Sequence, residues 1–390
     1  MPIYHALGQI PRKRHIVYRQ PGGGLYTEEL MGNMGFSGLA SLVYHVHQPT
    51  QVLSVEPVKE IAWVADSEAT FRNRHFRTSR LAPTRSVTAD RVPLLFNADV
   101  ALSFAQPLED DEQFYRNAQG DEVVYVSDGG GLLESPLGSL AFGPGDYLVV
   151  PRSIVHRYRI SERPARLLVI ESAGFVRTPH RYRNEFGQLM ETAPFSERDI
   201  RRPRDLQTID EKGAFPIVVK KDNRLTRVTV DHHPFDVVGW DGCYYPWAFS
   251  IHDFEPRVGR VHLPPPVHQT FEGDGFVVCS FCPRPYDFDP AAVPVPYVHE
   301  NVMSDEVIYY ATSEFMSRKG IEYGSITLHP DGLAHGPHPG RTEASLGAKE
   351  TNELAVMLDT FRPLRVAKDA LAIEDADYYR SWIEQDGPSS

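Results

Sequence analysis

The sequence has little cysteine: three residues in 390, Cys243, Cys279 and Cys282. A small odd number does not support a disulfide framework and suits a reducing compartment. Cys279 and Cys282 have the spacing of a C-x-x-C motif, but no second pair completes a four-ligand zinc site, and Pro283 follows where a redox motif opens a helix. We therefore interpret these cysteines as apolar residues within strands.

Long apolar runs and blocks of positive charge are also missing. No stretch approaches the about 20 apolar residues of a membrane-spanning helix, and the N-terminus lacks the cationic and apolar regions of a signal peptide. The formal net charge is −12 and no basic segment stands out, so neither nucleic acid nor a membrane is an expected partner. We expect a cytoplasmic protein of two or three domains or one large pseudo-symmetric unit.

Glycine, proline and aromatic residues are abundant instead. The chain has 29 Gly, 32 Pro, 18 Tyr and 20 Phe, spread along its length rather than gathered in one linker. Frequent turns between short aromatic and β-branched runs favour strands over helices. Helical periodicity is weak, and its best candidate is a short C-terminal segment, residues 367–385. The composition therefore predicts an all-β-dominated fold with a few short helices.

The most informative feature is an internal repeat. Residues 121–126, Asp-Glu-Val-Val-Tyr-Val, recur as residues 305–310, Asp-Glu-Val-Ile-Tyr-Tyr. Each copy continues through a glycine-containing turn and another strand to a histidine, which is His156 in the first copy and His335 in the second. Strand, turn and strand repeated in this way are typical of a jelly-roll barrel, so the pattern predicts two such barrels, a bicupin.

The repeat also suggests where the chain divides. We predict an N-terminal degenerate cupin half with preceding strands at residues 1–175 and an iron-binding cupin at residues 213–366. The polar, weakly periodic stretch between them, residues 176–212, is expected to be an irregular linker. Residues 367–390 are expected to form a partly helical C-terminal tail.

The second copy carries the side chains of a mononuclear metal site. His299 and Glu306 are seven positions apart across an expected turn, and His335 returns on a later strand. Two imidazoles and one carboxylate on one face leave three positions open for substrate and O2, and this ligand set favours iron or manganese over a zinc–thiolate site. These three residues are therefore the candidate ligands.

The first copy lacks a complete set. Tyr115 stands at the position of His299, although Glu122 and His156 are kept. We therefore expect the first barrel to be structural.

Two adjacent acidic residues compete for the carboxylate role in the second copy. Both copies read Asp-Glu-Val, and the apolar run begins directly after the glutamate, which places Glu306 at the mouth of the strand. These observations favour Glu306, and Asp305 remains the alternative.

Other residues are candidates for the pocket around the metal. Three prolines stiffen the approach to His268, which suits a side chain held over a cavity and able to accept a phenolic proton. His329 is a candidate either for substrate contact or for a place behind a ligand, and Tyr297 shares a strand face with His299. Two histidine pairs without a matching carboxylate are interpreted as structural: His45 with His47, and His232 with His233.

At this point the sequence resembles a known family, the homogentisate 1,2-dioxygenases. The likeness lies in residues 25–32, in residues 234–242 (Pro-Phe-Asp-Val-Val-Gly-Trp-Asp-Gly), in the loop of His268, and in residues 299–304 and 335–337. These stretches span most of the chain in the order expected of the family. The Val-Val-Gly-Trp-Asp-Gly segment makes the likeness specific, because a generic cupin is not expected to carry it.

The resemblance implies a function and a set of roles. It implies Fe(II) on the three candidate ligands, conversion of homogentisate and O2 to maleylacetoacetate in tyrosine and phenylalanine catabolism, and assembly as a trimer or hexamer. His268 matches the family's active-site histidine, which acts as base and substrate partner. His329 and Tyr297 match further pocket residues. Phe315 lies near the position of a tyrosine that contacts the substrate carboxylate.

This sequence departs from the family in two places. Better-known members place the carboxylate six residues after the first histidine, where this chain has Asp305, so we infer a one-residue insertion before Glu306. The segment after it, residues 311–315, lacks the family's Gly-His-Tyr run. A cupin dioxygenase for gentisate or another hydroxylated aromatic acid is therefore the alternative. A non-catalytic metal-binding bicupin is a further one, and a sugar-isomerase cupin is disfavoured.

Overall fold

The computed structural model describes residues 3–67, 70–313 and 315–383, and β-strands dominate this part of the chain. The strands of the first half are β1 (His5–Gly8), β2 (Thr27–Gly32), β3 (Ala40–His45), β4 (Val52–Glu60), β5 (Arg74–Arg77), β6 (Val92–Phe96), β7 (Val100–Ala105), β8 (Phe114–Asn117), β9 (Asp121–Ser135), β10 (Gly138–Phe142), β11 (Asp146–Val150) and β12 (Val155–Ser172). Those of the second half are β13 (Lys212–Lys221), β14 (Arg224–His232), β15 (Val237–Gly242), β16 (Trp247–Ser250), β17 (Gln269–Gly273), β18 (Phe276–Phe281), β19 (Arg284–Pro285), β20 (Asp305–Tyr310), β21 (Ser325–His329), β22 (Glu350–Thr351), β23 (Ala355–Thr360) and β24 (Arg365–Val366).

Helices are few and short. Among the described residues the one α-helix is α1 (Arg341–Ser345). The others are 3-10 turns: Thr78–Arg80, His180–Tyr182, Glu197–Asp199, Ile251–Asp253, Pro265–His268, Lys368–Ile373 and Tyr378–Arg380. None of the helices among these residues has the length and apolar character needed to cross a membrane. The end of the expected helical tail, residues 384–390, lies outside the described residues.

The strands of the repeat form because their residues suit burial on both faces. Val123, Val124, Tyr125 and Val126 in β9 are almost completely buried, and every residue of β20 is buried as well. β-Branched and aromatic side chains pack well in such strands, which read as continuous apolar runs rather than alternating ones. The two copies of the repeat therefore become the central strands of two barrels.

Two large sheets carry these barrels. The first has the order β16-β11-β9-β12-β8-β13-β14-β4, with β6, β7, β10 and β24 joined at its sides. The second has the order β17-β18-β23-β20-β21-β5. Each repeat supplies a central antiparallel pair, β9 with β12 and β20 with β23. The all-β-dominated bicupin prediction is confirmed.

The two sheets exchange strands between the halves of the chain. The early strand β5 pairs with β21 in the second sheet, while β16 pairs with β11 in the first. Residues 173–211 contain no strand and carry two 3-10 turns before β13 begins. The division at residues 175 and 213 stays a prediction, and strand pairing crosses it in both directions.

A buried charge cluster joins the paired strands β2 and β3 to the loop before β15. The imidazole of His45 contacts Asp236 through Nδ1 at 2.7 Å and Glu29 through Nε2 at 3.0 Å. An ionised carboxylate can only accept hydrogen bonds, so both ring nitrogens of His45 donate. The ring is therefore protonated on both nitrogens and carries a positive charge. Burial alone lowers the pKa of His45, but these carboxylates outweigh it and raise the pKa to about 9.

We predict that this cluster makes folding stability depend on pH. Because the pKa is raised in the folded state, the stabilisation is complete below about pH 6.5 and is lost as the pH rises through 9. Urea unfolding of the wild type and of His45→Gln at pH 6 and pH 9.5 measures it. We expect the variant to be less stable by up to about 3 kcal/mol at pH 6 and by much less at pH 9.5. An equal difference at both pH values contradicts the prediction.

Candidate metal centre

The site begins with a backbone contact between two distant histidines. The amide N–H of His299 donates to the carbonyl of His335 at 2.9 Å, and the amide of His335 donates back at 2.8 Å. This reciprocal pair is the pattern of an antiparallel ladder, here confined to one isolated bridge. It holds the two imidazoles side by side, with ring centroids 4.4 Å apart.

Glu306 completes a cluster with these histidines. It is the second residue of β20 and is 5% exposed. The Nε2 atoms of His299 and His335 lie 3.6 Å from its two carboxylate oxygens, one each. One ligand atom from each residue falls within 4.8 Å of the others, so the three can reach a common ion.

The hydrogen bonds of the two imidazoles fit such an ion. His299 Nδ1 contacts the carbonyl of Tyr297 at 3.2 Å, and His335 Nδ1 contacts the carbonyl of Leu333 at 3.0 Å. A carbonyl only accepts, so Nδ1 carries the proton and Nε2 is left with its lone pair facing the cluster. His335 Nε2 is buried and has no hydrogen-bond partner among the described residues. A buried polar atom without a partner is costly, and a bound cation removes that cost.

His329 holds the carboxylate from behind. Its Nδ1 lies 2.8 Å from Glu306 Oε1, and its ring stacks on that of His335 at 4.7 Å. Burial lowers the pKa of His329 to about 4, so the ring is neutral and donates its N–H to Glu306. Burial alone raises the pKa of Glu306, but the neighbouring histidines outweigh it and hold that pKa well below the usual range. The carboxylate is therefore ionised, as a metal ligand must be.

Asp305, the alternative carboxylate, is not brought to the cluster. Its two oxygens accept the backbone N–H groups of Asp331 at 2.9 Å and Leu364 at 2.6 Å. Adjacent residues in a strand point to opposite faces, so a strand that presents Glu306 to the histidines turns Asp305 away.

A cavity of about 330 Å³ opens beside the cluster. Five of the residues singled out from the sequence line it: His268, Tyr297, His299, Glu306 and Phe315. The other two, His329 and His335, do not line the cavity. His329 is fully buried, and its contacts give it a place behind the candidate ligands rather than against the cavity.

His268 ends the proline-rich 3-10 turn and faces this cavity. It is 6% exposed, its ring lies 4.8 Å from that of Phe281, and its Nδ1 has no hydrogen-bond partner among the described residues. Burial, reinforced by the positive charge of Arg284, lowers the pKa of His268 to about 3. The ring is therefore neutral at ordinary pH and able to accept a hydrogen bond from a hydroxyl group in the cavity.

Tyr297 and Phe315 belong to different parts of the cavity wall. Tyr297 is 63% exposed and packs edge-to-face on His262 with ring centroids 5.3 Å apart, so it lies at the mouth. Phe315 lies deeper, in an aromatic wall. Its ring centroid is 6.2 Å from that of Phe281 and 5.0 Å from that of Tyr310. Such a wall suits a planar apolar ligand.

Asp359 lies at the site but was missed by the sequence analysis. It lines the cavity from β23, directly across from Glu306, and its Oδ1 is buried without a hydrogen-bond partner among the described residues. Burial, and then the charge of Glu306, raises the pKa of Asp359 to about 8. The repeat contained the signal: in the first barrel Glu171 pairs with Glu122 in the same way.

The first barrel repeats this backbone arrangement, but there an arginine pairs with the carboxylate. Tyr115 pairs with His156 as His299 pairs with His335. Here Arg91 donates two hydrogen bonds to the buried Glu122, at 2.7 and 2.8 Å. The guanidinium supplies the positive charge that compensates the carboxylate, which supports the expectation of a structural role.

With the site described, comparison with known proteins identifies the family. A family model described as "Homogentisate 1,2-dioxygenase N-terminal" matches residues 98–251. Over 385 residues the chain is 41% identical to "Putative dioxygenase SSO1533" of Saccharolobus solfataricus, which covers 98% of this chain and 99% of that protein. The chain belongs to the homogentisate 1,2-dioxygenase family. The resemblance seen in the sequence is confirmed. The family is one of oxidoreductases, and the relative is named as a putative dioxygenase.

Solved structures give more distant likenesses to this family member. A cupin 2 conserved barrel domain protein from Leptotrichia buccalis is 12% identical, covers 77% of this chain and 100% of its own, and has a TM-score of 0.33. The protein Ylba from E. coli is 8% identical, covers 74% of this chain and 90% of its own, and has the same TM-score. Both likenesses are distant. The bicupin fold is seen in the strand pairing described above.

We predict that Glu306, and not Asp305, holds the metal. Glu306→Gln removes the anionic ligand and should weaken metal binding by more than the about 10- to 100-fold typical of groups that only orient a ligand. Asp305→Asn is the matched control and should retain the metal. It should lose about 1–3 kcal/mol of stability, because its oxygens accept two backbone N–H groups. Metal content after dialysis and urea unfolding measure both effects, and metal loss in Asp305→Asn alone reverses the assignment.

We also predict that Arg91 stabilises the first barrel. Arg91→Met leaves the buried Glu122 without its counter-charge and should cost about 3–5 kcal/mol of unfolding free energy. Arg159→Met, which breaks partly exposed ion pairs with Asp110 and Glu134, should cost about 1 kcal/mol or less. Urea unfolding compares them. A loss in Arg91→Met no larger than that in the control is incompatible with this role.

Proposed function

We propose that this chain is an Fe(II)-dependent dioxygenase that cleaves the ring of homogentisate with O2 to give maleylacetoacetate. The observation that carries the proposal is the convergence of His299, Glu306 and His335 beside a cavity that His268 lines. Membership of the homogentisate 1,2-dioxygenase family supports the same reaction.

Iron suits the donor set. Two neutral imidazoles and one carboxylate, with the remaining positions facing a cavity, are the ligands of the non-haem Fe(II) oxygenases. The ion would supply the redox chemistry that activates O2 and the Lewis acidity that favours the ionised phenol. His329 contributes by fixing Glu306 in its ionised form.

The chain's own residues bind and orient the substrate. The aromatic wall built on Phe281 and Phe315 packs against the faces of the ring and excludes water from it. His268 accepts a hydrogen bond from a phenolic hydroxyl group, which sets the orientation of the ring in the cavity. Because burial lowers its pKa, the imidazole is neutral, and its unpartnered Nδ1 is available to accept the phenolic proton.

The proposal extends to the assembly and its surroundings. We propose a homo-oligomer, a trimer or a hexamer, acting in the cytoplasm on a small aromatic acid. Gel filtration with light scattering tests the assembly separately from catalysis.

The decisive experiment is oxygen uptake by protein reconstituted with Fe(II) under anaerobic conditions. We expect one O2 to be consumed per homogentisate, with the ultraviolet absorbance of the ring-opened product, and little uptake with gentisate. His335→Ala should lose iron and activity together, because it removes one of three ligands. His252→Gln, which changes an exposed histidine outside the cavity, should retain both.

Other results would assign a different function. Faster uptake with gentisate makes the chain a dioxygenase for that acid. Iron binding without O2 consumption for any hydroxylated aromatic acid makes it a non-catalytic bicupin. Full turnover by iron-free His335→Ala removes the metal ligands from the mechanism.

A further inference from the structure

A buried arginine in the cavity is not explained by the metal cluster. Arg318 lies in the loop between β20 and β21, is 4% exposed and lines the cavity together with Ser317 and Gly336. Its Nη1 donates to the carbonyl of Gly336 and its guanidinium lies over the ring of Trp382 at 5.9 Å. Its Nε is buried and has no hydrogen-bond partner among the described residues.

The partners of Arg318 among the described residues are all uncharged. Tyr310 and Tyr378 lie beside the guanidinium, and no described carboxylate is within 4.0 Å of it. The contrast is with Arg74, the other arginine buried to this degree, which forms an ion pair with Glu374 at 3.0 Å. A buried charge is costly unless it is paired, so Arg318 leaves a place for an anion that the described chain does not supply.

A second arginine in the cavity wall, Arg284, has the ion-pair partner that Arg318 lacks within the described part of the chain. Arg284 also lines the cavity, but Glu353 neutralises it at 2.7 Å. Glu306 is the other anion near Arg318, and its oxygens face the three histidines. Among the described residues, the buried positive charge of the cavity wall that has no ion-pair partner therefore belongs to Arg318.

We propose that Arg318 binds the carboxylate of the substrate and makes the site selective for aromatic acids over neutral phenols. The planar guanidinium matches a carboxylate in shape and charge, and Phe281 and Phe315 provide the aromatic wall for the ring that carries it. The assignment rests on the proposed function for the identity of the ring, but it concerns binding and not ring cleavage.

The test measures ligand binding rather than turnover. Anaerobic calorimetry with the Fe(II)-loaded protein compares homogentisate, its side-chain amide and hydroquinone, which lacks the side chain. We expect the wild type to bind the acid about 10- to 100-fold more tightly than the amide, as a charge-assisted contact provides. In Arg318→Gln that preference should fall to about threefold or less, while hydroquinone binding and iron content stay within about twofold.

Two further variants separate a direct contact from a structural effect. Arg318→Lys keeps the charge and should retain part of the preference for the acid, which a purely structural role does not explain. Arg257→Gln removes an exposed arginine at the cavity rim and should change the preference by less than about threefold. An equal loss in both Gln variants attributes the preference to general charge and overturns the proposal.

The outcomes keep this proposal apart from the proposed function. If the wild type consumes O2 with homogentisate but does not distinguish acid from amide, the role of Arg318 fails and the dioxygenase stands. If the wild type prefers the acid through Arg318 but consumes no O2, the dioxygenase fails and the anion site stands. Should Arg318→Gln fail to fold, the acid-to-amide ratio of the wild type and Arg318→Lys decide the question.

Discussion

The site depends on strand register more than on any single side chain. The reciprocal backbone hydrogen bonds of His299 and His335 fix one pair of imidazoles, and the pairing of β20 with β21 and β23 fixes the carboxylate between them. A slip of one residue along β20 exchanges faces and presents Asp305 in place of Glu306. The core packing of β20 opposes that slip, because Val307 and Tyr309 pack in one hydrophobic cluster and Ile308 and Tyr310 in another, and a shift of one residue would exchange them.

The two barrels show what the same frame does with different charge compensation. Glu122 and Glu306 occupy corresponding places and are both buried, yet Arg91 satisfies the first and histidines surround the second. The acidic residues paired with them across the sheet differ similarly: Glu171 contacts Lys220 at 2.6 Å, whereas Asp359 faces the cavity. In the first barrel, arginine and lysine side chains compensate the buried negative charges. In the second barrel no such side chain among the described residues pairs with Glu306, so a metal cation can compensate its charge.

The internal repeat made the central strands of both barrels and the candidate ligands predictable from the sequence. Alignment of its two copies predicts the central strands, the preference for Glu306 over Asp305 and a structural first barrel, because Tyr115 stands at the position of His299. The exchange of β5 and β16 between sheets was not predictable, since it depends on pairings between strands far apart in sequence. The place of His329 behind Glu306 required the register as well.

In the proposed function, metal binding and substrate selection are assigned to different parts of the fold. Glu306 and His329 lie on strands whose pairing fixes them, whereas Arg318 and Phe315 lie in the loop between β20 and β21. A loop can change length and composition without shifting the register of the strands that it joins. Substitutions there can therefore alter which ring is accepted while the ligands stay in place. The segment in which this chain departs from the family pattern begins in the same loop, since residues 311–313 directly follow β20 and Phe315 lines the cavity. We therefore expect the departure to change the wall of the cavity and not the candidate ligands.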